Sequence, residues 1–137
     1  MNERDAIQRA KFFLDKARHC PADERADFEA YLEAAIVFTR AALHRLQARF
    51  KSHPAWKHWW DLLLSDPSVD FIREERNRIL KEAPPKIGQV LYGGSQQPQY
   101  ASAFYYYESA GIPATDTVNR HLNRIADLVA QGETRFA

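Results

Sequence analysis

The residues of this chain best placed to do chemistry lie in Asp70-Phe71-Ile72-Arg73-Glu74-Glu75-Arg76-Asn77-Arg78-Ile79-Leu80-Lys81. The stretch reads as a charged helix with an Arg-Asn pair at its centre. At about 100° per residue, Ile72, Arg76, Ile79 and Ala83 share one side, while Asp70, Glu74, Asn77 and Lys81 share another. Arg76 is therefore expected among apolar neighbours, with Asn77 and Lys81 stacked one turn apart. A buried guanidinium is costly unless it is paired and hydrogen-bonded. The expectation is that Arg76 is largely buried and bound to a carboxylate or to backbone carbonyls. Arg76, Asn77 and Lys81 are the candidate site residues.

Other chemistries find less support. His53 and His58 are five residues apart with Pro54 between them, which is not the i, i+4 pair that zinc takes on a helix. His19 and Cys20 adjoin in a loop, whereas a catalytic pair is usually assembled from distant segments. There is no G-x-S-x-G elbow. Gly93-Gly94-Ser95 lacks the Lys-Ser/Thr and the following helix of a phosphate loop. No metal and no cofactor is expected. Trp56, Trp59 and Trp60 have the aromatic character of a base-stacking surface, but their helical spacing beside Leu62-Leu63-Leu64 is that of a core. In a strand, Tyr105 and Tyr107 would face one side and Tyr106 the other.

The bulk numbers bound the class. A chain of 137 residues, 45% apolar and 27% charged, reads as one globular domain spanning 1–137 with a real core. Its 19 basic and 18 acidic residues leave a net charge of +1. That is not the basic stripe of a dedicated DNA-binding protein, although it permits positive charge confined to one cleft. Cys20 is the single cysteine, which fits a reducing cytoplasm. Met-Asn-Glu-Arg-Asp has no apolar signal-peptide core, and no apolar run is long enough to span a membrane. A cytoplasmic protein is expected.

Elements follow from periodicity and breakers. Residues 3–19 predict a first helix, with Ala6, Ile7, Ala10, Phe13, Leu14 and Ala17 at helical spacing, stopped before Pro21. Residues 22–51 predict a long second helix whose apolar stripe runs from Phe28 to Phe50. At 1.5 Å per residue it spans roughly 45 Å, so it can be the spine of a bundle or outrun its own core toward a second subunit. Pro54 is placed as the first residue of a third helix, 54–64. Asp66 and Pro67 cap and start a fourth, running to about Ala83 before Pro84-Pro85. Residues 85–113 predict a β-hairpin or irregular insertion, with Gly93-Gly94 available for the turn. A last helix runs from about 115 to 131, capped by Thr115 or Asp116 and stopped at Gly132. The fold class is all-α, a bundle of about five helices with this small insertion.

This layout resembles the HEPN superfamily of helical bundles. Those proteins carry an Arg, a polar residue (often Asn), three further residues and a His on a late helix; here the stretch is Arg76-Asn77-Arg78-Ile79-Leu80-Lys81. The resemblance covers roughly residues 5–83 and weakly the last helix. It includes Lys11-Phe12-Phe13-Leu14 on a short first helix, Phe28-Glu29-Ala30-Tyr31-Leu32-Glu33-Ala34-Ala35 on a long second, and an aromatic-rich helix leading into Asp66-Pro67. It implies a homodimer in which the motifs of two subunits meet and, in active members, cleave RNA without a metal. The His would move protons and the Arg would stabilise the developing phosphorane charge. Here Lys81 occupies the His position, and a lysine, titrating near pH 10 when unperturbed, is a poor general base at pH 7. The resemblance thus implies a dimeric domain with a degenerate motif, a binding or regulatory module for RNA, a nucleotide or a protein partner, by analogy in a defence or toxin–antitoxin system. The alternatives are a metal-independent endoribonuclease using Arg76, Asn77 and Lys81, and a structural domain that recognises a protein through its Tyr-rich insertion.

Overall fold

A computed structural model describes residues 1–90 and 103–137. Among them are five α-helices: α1 Glu3–Arg18, α2 Arg25–Phe50, α3 Trp56–Leu63, α4 Pro67–Leu80 and α5 Ala114–Phe136. A two-stranded antiparallel sheet joins β1 Ile87–Gln89 to β2 Phe104–Tyr106, with Gly88 opposite Tyr105. This is the expected helical bundle with a small β insertion. The Gly93-Gly94 turn lies outside the described residues. No helix among those described is long and apolar enough to cross a membrane.

The helix boundaries have local causes. Asn2 caps α1 by accepting from the amide of Asp5, whose carboxylate accepts from the Asn2 amide in return, a reciprocal cap that satisfies two otherwise free donors. Asp66 caps α4 and Pro67 opens it, as the sequence predicts. At its other end α4 stops at Leu80, short of Ala83. The amides of Glu82 and Ala83 bond back to the carbonyls of Ile79 and Arg78. Glu82 takes a left-handed conformation, φ 54°, in the position that such a helix end usually gives to glycine. Lys81 is thereby the C-cap residue.

The core runs the length of α2. Phe28, Leu32, Ala35, Ile36, Leu43, Leu46 and Phe50 are all buried, so this helix is a spine covered from end to end and does not outrun its core. α1 lies antiparallel along it. Glu3, at the start of α1 and 1% exposed, accepts from Arg49 at the end of α2 over 2.5 Å. The end of α5 joins them through Glu133, which meets Arg4 at 3.0 Å. Burial pushes the Glu3 carboxyl up, but its own backbone amide, Arg49 and Glu133 together outweigh this and hold it below the usual carboxylate range.

Trp56, Trp60 and Leu63 are buried and Trp59 is half-buried. Phe136 packs edge-on against Trp56 and Trp59, so the tryptophans are core. α3 begins at Trp56, leaving Pro54 in the preceding turn. α5 also differs from expectation. Its N-cap is Pro113, with no side-chain cap from Thr115 or Asp116, and the helix continues through Gly132 to Phe136. Gly132 is a packing residue there, since a Cβ would lie 2.9 Å from both Leu46 and Trp59. The sheet docks by Phe104 stacking on Phe28 at 4.3 Å and by Arg25 donating to the Ile87 carbonyl at 2.7 Å. Within β2 Phe104 and Tyr106 are buried and Tyr105 is half-buried, the alternation expected of a strand, while Tyr107 lies just beyond it and is exposed. Gly88 is needed because the Tyr105 and Tyr107 rings close over it, leaving 2.8 Å to where a Cβ would stand.

Candidate functional site

α4 begins buried and ends exposed. Val69 and Ile72 are in the core, Arg76 and Ile79 are half-buried, and Asn77, Leu80 and Lys81 are exposed. Asn77 and Lys81 stand one turn apart on the exposed side of α4, as the periodicity predicts, with Arg76 on a more buried side. The structure does not give Arg76 the expected pairing: among the described residues no carboxylate or carbonyl accepts from its guanidinium. The neighbouring arginines are paired, Arg73 with Asp70 and Arg78 with Glu75 at 3.1 Å and Glu33 at 3.6 Å.

The buried arginine belongs to α2. Arg40 is 9% exposed, and its Nε and Nη1 are enclosed with no hydrogen-bond partner. Its neighbours make this costlier. Burial pushes the guanidinium below its ordinary range, and the positive charges of Arg76 and Arg73 push it further. Each buried donor left unmet costs about 1–3 kcal/mol. An arginine cannot escape by losing its proton at neutral pH. His44, one turn along α2, stands at the exposed rim of the same cluster. Partial desolvation lowers its pKa, and Arg40 and Arg76 lower it further. Arg40 and His44 on α2 and Arg73 and Arg76 on α4 thus lie near enough for their charges to act on one another.

This cluster was not singled out by the motif, yet a signal was present. Ile36, Arg40 and Leu43 follow i, i+4, i+7, so Arg40 interrupts the apolar stripe of α2 just as Arg76 interrupts that of α4.

The opposite face of α4 opens on a cavity of about 450 Å³, lined among others by Phe71, Glu74, Arg78, Tyr106, Arg120 and His121. None of Arg76, Asn77 and Lys81 lines it. His121 is buried in its wall, its Nδ1 2.8 Å from the Ser68 hydroxyl and its ring stacked on Phe71 at 4.1 Å. Burial, helped by Arg120 and opposed by Asp66, pushes its pKa down to about 4. The imidazole is therefore neutral at pH 7. The Tyr106 hydroxyl is buried without a partner, and burial raises its pKa. His121 lies far along α4 from Lys81: it sits beside Ser68 and Phe71, at the start of the helix.

Comparison with protein-family models, with curated proteins and with solved structures gives no significant match.

Proposed function

We propose that this chain is a HEPN-like, dimeric cytoplasmic module that binds RNA or a nucleotide without cleaving it. The observation that carries the reading is the basic face shared by α2 and α4, where Arg40 and Arg76 meet no carboxylate among the described residues while Arg73 is held by Asp70. Arg40 and Arg76 supply positive charge and hydrogen-bond donors, and His44 adds a ring nitrogen. Lys81, exposed at the helix end in the motif's His position, adds an ammonium that can hold a phosphate but is a poor proton shuttle at neutral pH. Support for a dimer comes from two exposed apolar side chains flanking the face. Val37 lies one turn from Arg40 and Leu80 one turn from Arg76, at 39% and 63% exposure. A cleaving enzyme would need a titrating group near neutrality beside Arg76. His44, the imidazole of this face, is flanked by two guanidinium groups that disfavour its charged form.

Two measurements test this. Incubation of purified protein with mixed RNA, with and without EDTA, is expected to leave the RNA intact. Cleavage that survives EDTA and is lost in Lys81→Ala would instead establish the metal-independent endoribonuclease. Light scattering at tens of micromolar is expected to give a dimer, and a monomer would remove the two-fold assembly from the reading. A second reading, a protein-recognition domain, is favoured by the exposed Tyr107 and Ile112 beside the β insertion.

A further inference from the structure

The cavity on the far face of α4 has a wall of neutral polar groups that lack partners. Tyr106 lines it and is 5% exposed, yet its hydroxyl meets no hydrogen-bond partner. Proteins seldom leave a buried hydroxyl unmet. Glu75, whose charge acts on this hydroxyl, is held by Arg78 and does not accept from it. His121 supplies a second free group. Its Nδ1 is turned to the Ser68 hydroxyl, and Ser68 does not line the cavity, so the other edge of the ring does. The Ser68 proton has no other acceptor among the described residues, which assigns it to Nδ1 and the ring proton to Nε2. Burial keeps both groups uncharged, raising the pKa of the tyrosine and lowering that of the histidine to about 4. The Phe71 ring touches both, T-shaped against Tyr106 and stacked on His121, so the two donors belong to one wall.

The rim is charged in both senses. Asp70 holds Arg73 and Glu75 holds Arg78, but Glu74 and Glu108 form no ion pair among the described residues. Lys86 and Arg120 form none either. All four are exposed, so each is free to meet a ligand. We propose that this cavity binds a dipeptide with free termini. The ammonium terminus pairs with Glu74 and Glu108, and the carboxylate terminus with Lys86 and Arg120. The central carbonyl has two lone pairs and accepts from the Tyr106 hydroxyl and from His121 Nε2–H. Because that hydroxyl is enclosed, the Glu75 side chain beside it shifts as the carbonyl arrives. The Thr117 hydroxyl, one turn before His121 and also lining the cavity, accepts from the peptide N–H. An anion is a poorer fit, since four acids line the cavity against three bases and His121 is neutral. A free amino acid carries both charges but has no central amide for the wall. The volume of about 450 Å³ falls within the range of about 300–1,000 Å³ usual for small-molecule sites. None of Arg76, Asn77 and Lys81 lines this cavity, so the proposal does not depend on RNA or nucleotide binding at the other face.

The experiment titrates the full chain at neutral pH with dialanine, alanylglutamine and alanyltyrosine. The controls are the N-acetylated and C-amidated forms of each, free alanine and inorganic phosphate. Binding is read by calorimetry and by the shift in thermal midpoint. Wild type is expected to bind at least one free dipeptide saturably, and free alanine more weakly. Blocking either terminus should weaken binding at least about threefold, the loss of a charge-assisted contact at an exposed rim. Tyr106→Phe removes only the hydroxyl. Without ligand its thermal midpoint should equal or exceed that of wild type, because an unmet buried hydroxyl is gone. Its affinity for the dipeptide should fall about three- to tenfold, as expected of one lost hydrogen bond. Arg120→Gln, at an exposed position, keeps the test decisive if Tyr106→Phe does not fold: it should weaken the free dipeptide and leave the C-amidated form unaffected. Absence of saturable binding of all three dipeptides overturns the site. So does equal binding of free and blocked forms, or of wild type and both variants. Free alanine binding as tightly as the dipeptides, or phosphate competing with them, overturns the ligand assignment.

Discussion

Acid should destabilise this protein through His121 before most of its carboxylates titrate. The imidazole is 9% exposed, bonded to Ser68 and stacked on Phe71, and its folded pKa lies at about 4. In the unfolded chain a histidine titrates near 6.5. As pH falls through 6.5 the unfolded state takes up a proton that the folded state refuses. Stability is thus fully present above about pH 6.5 and is lost progressively down to about 4, where both states are protonated and the loss stops. The difference of about 2.5 units corresponds to about 3 kcal/mol, at 1.36 kcal/mol per unit. The assay is urea denaturation of wild type and of His121→Gln, which keeps a polar group for Ser68, at intervals from about pH 7.5 to about pH 4.5. Between those limits wild type should lose about 2–3 kcal/mol more than the variant. Subtracting the two curves removes what titrates elsewhere. Parallel curves would refute the reasoning, because they would mean that the folded protein accepts the proton at His121 as readily as the unfolded chain does.

Three further substitutions test the packing, the site and the motif. Gly132→Ala improves helix propensity by about 1 kcal/mol but drives a methyl to 2.9 Å from Leu46 and Trp59, and overpacking costs about 1–3 kcal/mol; the thermal midpoint should fall, and a rise would show that the α2–α5 contact yields easily. Arg76→Glu places a carboxylate opposite the unpaired Arg40, so stability should rise by about 1–3 kcal/mol while RNA or nucleotide binding disappears; a fall in stability would mean that Arg76 already has a structural partner. Lys81→His introduces a group that exchanges protons near neutrality, one turn from Asn77. It should produce detectable EDTA-resistant RNA cleavage in a gel assay, at the low end of the 10²–10⁴-fold range of general acid–base catalysis, and intact RNA would argue that this face was never catalytic.

Much of the fold could be read from the chain because helices announce themselves locally. The stripes of α1, α2 and α4 recur at the period of the helix, and Pro21, Asp66-Pro67 and Pro84-Pro85 mark their limits by sterics and capping that act within a few residues. What could not be read locally depends on partners distant in sequence. Gly132 resembles a stop signal, yet it is glycine because Leu46 and Trp59 occupy the space a side chain would need. Gly88 is glycine because Tyr105 and Tyr107 close over it, a contact that exists only once the strands pair. The spine role of α2 likewise depends on what covers it: its 26 residues leave open whether its ends project, until Glu3, Glu133 and Phe136 are seen to converge on its last turn.

The site was half-visible for a related reason. A charged residue in an apolar stripe marks a place where packing alone did not choose the residue, and both Arg76 and Arg40 meet that description. Such a residue signals a cost without showing where the compensating charge comes from, and Arg76 stands on the more conspicuous helix. Burial along α4 declines from Ile72 to Leu80, so Arg76 can turn partly outward and escape most of the cost. Arg40, held in the middle of a covered spine, cannot. Two facing helices with arginines at both inner positions are a poor solution for stability alone, since a glutamate at either position would pair with the other. Arg76→Glu is therefore expected to move stability and RNA or nucleotide binding in opposite directions. That reversal separates a residue kept for binding from one kept for the fold, because replacing a purely structural arginine lowers stability.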